Sequence, residues 1–120
     1  MKRYRKPTSI TDLREPGGRI ILAHGEVTGH AHEVLTVDTD TASDLPAAEF
    51  FEEPGTGRRV LFLIRPCVLR HQEHDPIALD PAKPVQARQG DVLLTPLGRG
   101  AWEVTRQVEY SPESIRQVAD

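Results

Sequence analysis

At 120 residues the chain has the size of one ordinary domain, long enough for a single hydrophobic core and too short for two, so 1–120 is read as one unit. Fifteen Lys and Arg against 18 Asp and Glu leave a net charge of −3, which offers nothing for binding a phosphate backbone by charge alone; nucleic acid is therefore not a default partner. The single cysteine, Cys67, excludes an intramolecular disulfide and suits a reducing compartment, and no apolar run reaches the length of a signal peptide or membrane span, so a cytoplasmic protein without a membrane partner is expected.

In chain order, MKRYRKP carries Lys2, Arg3, Arg5 and Lys6, and 1–8 is expected to be a flexible, solvated basic arm. Ten prolines and nine glycines then punctuate short runs rich in Val, Ile and Leu, the signature of an all-β sandwich or small barrel with about seven to nine strands. Strands are predicted over 19–27, 32–38, 59–65, 67–71, 76–80, 91–95 and 102–110. The segment 39–54 reads as a loop whose Phe50 and Phe51 tuck against the sheet, and EPGTGRR as the turn of a hairpin. Cys67, inside LFLIRPCVL, reads as a small buried hydrophobe. The stretch 80–91 carries two prolines and no apolar period, so it reads as a surface excursion. Tyr110 reads as an anchor at the edge of the core. At the end, SPESIRQVAD places Ser111 at an N-cap, Pro112 at the first helical position and Glu113 in the first turn, which predicts a short helix over 111–119.

Three of the five histidines fall in HGEVTGHAHEV and the other two in RHQEHDP. His30 and His32 are two apart, so on a strand they share a face, roughly 6.5 to 7 Å apart, close enough to converge on one ion. His71 and His74 are three apart and would face opposite sides of an unbroken strand, but Asp75-Pro76 signals a turn. Either the turn brings both inward, or one joins His30 and His32 while the other, or Glu73, supports a ligand from behind. Any single histidine is more often a hydrogen-bonded structural residue than a ligand, and His24 is read that way; the pairing of the other four carries the metal reading. Imidazoles with carboxylates nearby and no thiolate but Cys67 suit zinc, iron, manganese, nickel or cobalt. With three ligands a position stays open for water or substrate, and Glu26 or Glu73 is the candidate general base.

At His30 and His32 the sequence resembles the cupin type of double-stranded β-helix, which implies a cupin-like outline and a metal held by a His-x-His pair, a carboxylate and a further His from a later strand. Glu33 follows His32 directly and so points away from such a site. GEVTGHAH, HQEHDPIAL and VTRQVEYSP resemble three blocks shared by a set of small uncharacterised bacterial and phage proteins; that resemblance implies a common site of Glu26, His30, His32, His71, Glu73 and His74, without an activity.

The leading expectation is a metal-binding β-domain whose His30, His32, His71 and His74 hold one divalent ion, with a hydrolytic or oxidative step on a small molecule. The alternative is a non-enzymatic accessory protein, associated with phage, defence or repair, whose ion is structural or absent and whose basic arm touches RNA or a protein partner. Exposed sheet edges point to a homodimer. No serine sits in a nucleophile elbow, which argues against a serine hydrolase.

Overall fold

The computed structural model describes residues 2–24, 30–36 and 47–107. These residues form ten strands, and no helix occurs among them: β1 Thr11–Asp12, β2 Ile20–His24, β3 Ala31–Thr36, β4 Ala48–Glu52, β5 Arg59–Leu63, β6 Cys67–His71, β7 His74–Leu79, β8 Ala87–Gln89, β9 Val92–Gly98 and β10 Ala101–Arg106. They pair antiparallel into a six-stranded sheet, β1-β4-β5-β10-β9-β8, and a four-stranded sheet, β2-β3-β6-β7. The protein is therefore all-β, as its punctuation by proline and glycine predicts. The expected helix at 111–119 and Tyr110 lie outside the described residues.

Alternation along the strands builds the core between the sheets. Ile20, Leu22 and Val34 of the smaller sheet, continued by Cys67, Leu69 and Leu79, meet Phe50, Leu61, Leu63, Leu94, Trp102 and Val104 of the larger one. The other face of the larger sheet is covered too. There Phe51, Val60 and Ala101 are buried beneath Tyr4, Ile10, Phe62 and Leu97, which explains why VLFL shows no polar alternation.

The cover comes from the basic segment, which differs here from the expected free arm. The Arg99 N–H donates to the Lys2 carbonyl at 3.0 Å, Arg3 and Arg99 form a β-bridge, and the Tyr4 hydroxyl donates to Glu53 at 2.6 Å. Apolar Tyr4 and Ile10, interleaved with the cations, supply the force that lays the segment down.

Two other expectations change. Residues 48–52 are a strand and not the end of a loop, paired with β5 from Ala48↔Leu63 to Glu52↔Arg59 across the expected hairpin turn. Within the expected surface excursion, 87–89 form β8, which pairs with β9 and buries Gln89 to 2% exposure.

Candidate metal centre

The histidines gather at one end of the layer between the sheets. On β3, His32 points to the same side as Val34 and is buried; on β6, His71 follows Cys67 and Leu69 on the inward face and is also buried. A two-residue turn closes β6 onto β7 so that His71 and His74 pair directly. Between Leu69↔Ile77 and His71↔His74 the register gains one residue on β7, and this bulge at Asp75-Pro76 switches the side-chain parity, setting His74 on the same face as Ile77. Pro76 is tolerated because β7 is an edge strand. The turn thus sets both histidines on the same side of the sheet, His71 buried and His74 exposed.

The four rings are contiguous. Centroids lie 4.3 Å apart for His32 and His71, 4.8 Å for His71 and His74, 5.9 Å for His30 and His71 and 6.0 Å for His32 and His74. The turn residues fasten the two chain segments together: Gln72 Oε1 accepts the Ala31 N–H at 3.0 Å, and the Glu73 carboxylate lies 3.1 Å from His30 Nδ1. HQEH is thus a clamp on the His30–His32 stretch. Glu26 lies outside the described residues. His24 points away from the cluster and pairs with Glu15 at 3.2 Å, the structural role expected of it.

Hydrogen bonds fix which nitrogen of each ring is available. The Gln89 amide donates to the Leu69 carbonyl at 3.0 Å and the Asp75 carbonyl at 2.9 Å, so its oxygen must be the atom 2.9 Å from His32 Nδ1, and that nitrogen carries the proton. His32 Nε2 is left facing Asp91 Oδ1 at 3.3 Å. His71 is the reverse case: its Nδ1 accepts the Glu73 N–H at 3.0 Å, which puts the proton of the neutral ring on Nε2. Burial, then the neighbouring His32 and His74, hold its pKa below the ordinary value of 6.5 and keep it neutral. His30 Nδ1 is occupied by Glu73, and among the described residues its Nε2 has no hydrogen-bond partner.

Asp91 and Gln89 belong to the site and were not picked out from the sequence. Burial pushes the Asp91 carboxyl up, but the hydrogen bond and charge of Arg106 on its Oδ2 outweigh this and hold it below the usual carboxylate range. Between the two residues, Gly90 adopts φ +58°, and a Cβ there would stand 2.7 Å from His74 Nε2 and 3.4 Å from His32 Cε1. The β8–β9 turn therefore passes directly against both rings, where a side chain would intrude. The only signal for this in the sequence is Gln-Gly-Asp between two short apolar runs, which reads as a turn and says nothing of what it touches.

As the side chains stand, no group of three or more His, Cys, Asp or Glu among the described residues is arranged to hold a metal ion. The rings pack flank to flank, and His71 Nδ1 points into its own turn. The arrangement leaves two Nε2 positions, on the half-buried His30 and on the buried His32, the latter facing the Asp91 carboxylate.

No curated protein and no solved structure matches the chain. A family model matches residues 2–82, a span that takes in His30, His32, His71, Glu73 and His74 and ends before Gln89 and Asp91. On this match, which covers more than half of its length, the chain belongs to the family described as a domain of unknown function, DUF8820.

Proposed function

We propose that the protein binds one divalent metal ion at the cluster of His30, His32, His71 and His74, and uses it on a small-molecule substrate. The observation that carries this reading is the orientation of His32: its Nδ1–H donates to the Gln89 amide oxygen, and its Nε2 faces a carboxylate oxygen. Two acceptors do not sit face to face without a cation or proton between them. Ligating imidazoles donate their far N–H to just such a partner. Glu73, exposed at the rim and 3.1 Å from His30 Nδ1, is the candidate general base; Glu26 is a further candidate from the sequence. The cupin outline belongs to the same proposal, supported by two antiparallel sheets with imidazoles at one end of their shared core.

The donor set suits zinc, iron, manganese or nickel. Elemental analysis of protein purified without a histidine tag or chelator is expected to give about one equivalent of such an ion per chain, and close to none in a His30→Ala, His32→Ala double variant that still unfolds cooperatively. A wild-type protein that carries no ion and takes up none from added zinc chloride would contradict the proposal.

The alternative, an accessory protein that touches RNA or another protein, draws on Arg3 and Arg99, which flank a surface depression shared with the exposed Ile64. RNA co-purifying with the protein, seen as a raised ratio of absorbance at 260 to 280 nm, would favour it. A homodimer through a sheet edge is part of either proposal. Its short or proline-bearing edges, β1, β8 and β7, are poor templates for pairing, which leaves β2 as the edge to test by light scattering.

A further inference from the structure

We infer that the anionic ligand of the site is Asp91, sharing the ion with His32, and that His71 is not a ligand but a structural member of the β6–β7 turn. This rests on the metal reading proposed above and assigns its atoms. Two donors about 2.0 to 2.1 Å from one tetrahedral ion stand about 3.4 Å apart, and His32 Nε2 and Asp91 Oδ1 are 3.3 Å apart. Each is held in that pose from behind. Gln89, itself anchored on two backbone carbonyls, orients the imidazole. Arg106 occupies Asp91 Oδ2 and leaves Oδ1 directed at His32. A donor pair braced on both sides is pre-organised for a cation.

By ring centroid His71 is nearer to His32 than His74 is, 4.3 Å against 6.0 Å, and His74 Nε2 lies beside Gly90, between Gln89 and Asp91. His71 cannot serve in the same way. Its Nδ1 lone pair is spent on the Glu73 N–H, so its Nε2 bears the proton, and ligation through that atom would require breaking the turn or forming an imidazolate. The pair of ligands this gives is His32 and Asp91, with Gln89 and Arg106 as positioning residues. Its carboxylate comes from the β8–β9 turn, on the sheet opposite to the histidines.

Calorimetric titration of the full chain with zinc chloride, on wild type and three variants, separates the roles. Asp91→Asn keeps the shape and removes the charge of a partly exposed side chain; it is expected to weaken zinc by at least about tenfold. His32→Asn is expected to abolish measurable binding. His71→Asn keeps an oxygen where Nδ1 was, able to accept the Glu73 N–H; it is expected to stay within about threefold of wild type. Thermal melts confirm that each variant is folded. If wild type binds and Asp91→Asn binds equally well, or His71→Asn fails as badly as His32→Asn, this assignment is overturned while the metal reading stands. If wild type binds no zinc, both fall together.

Discussion

The Cys67 thiol and the Gln89 amide show how the same degree of burial yields opposite chemistry. Cys67 is 1% exposed and donates weakly to the Arg65 carbonyl at 3.3 Å; burial pushes its pKa up to about 11, against a small lowering by Arg65. The thiolate is therefore scarce at neutral pH. Native protein at pH 8 is expected to react with a disulfide reagent no faster than it unfolds, and to release one equivalent of thiol in denaturant; rapid labelling of the native chain would contradict the buried placement. That role was legible, because a cysteine inside an apolar run has few other fates. The role of Gln89 was not. In a polar, proline-bearing stretch a glutamine gives no sign that both its N–H donors and its oxygen are used inside the protein, on two carbonyls from one sheet and an imidazole from β3. The pairing of His30 with His32 and of His71 with His74 was legible for the contrary reason, that spacing alone sets which face a strand residue occupies.

Among the elements, the strands rich in Val, Ile and Leu were found at nearly their true positions, and those missed were β4 and β8. In β4, Phe50 and Phe51 are adjacent and both buried, one in each core cluster, so the period of two that marks a strand disappears. In β8, three residues are too few to show a period at all. The turn between β4 and β5 carries its own test. Glu53 accepts the Tyr4 hydroxyl on one oxygen and the Thr56 hydroxyl and Arg58 guanidinium on the other. The Tyr4 hydrogen bond foremost, then Thr56 and Arg58, hold its pKa below the ordinary 4.5 against the effect of burial. The unfolded chain therefore takes up this proton more readily than the folded one. The contribution of the carboxylate to stability is complete above about pH 4.5 and is lost as pH falls through the folded value. Melting temperatures measured from pH 7 to pH 3 should show wild type losing its lead over Glu53→Gln in that acid range. A lead that is constant across the range would mean that Glu53 does not bind the N-terminal segment as described.

At the scale of the whole molecule, the two sheets do different work. The six-stranded sheet is buried on both faces at its centre and acts as the scaffold, while the four-stranded sheet carries the histidines along one end of its inward face. The site forms where the edge strands β7 and β8 approach, so it draws on both sheets: imidazoles from one, Gln89 and Asp91 from the other. No local pattern in a sequence could announce that meeting, since it depends on how two sheets close over a common core. The same architecture dictates the decisive measurement. Crystals grown from protein that has never met a chelator, with diffraction recorded at the manganese, iron, nickel and zinc absorption edges, should give one anomalous peak per chain. The account predicts that peak about 2.0 to 2.2 Å from both His32 Nε2 and Asp91 Oδ1, with His71 Nδ1 still on the Glu73 N–H. Crystals with no peak, or with one remote from the four rings, would contradict it.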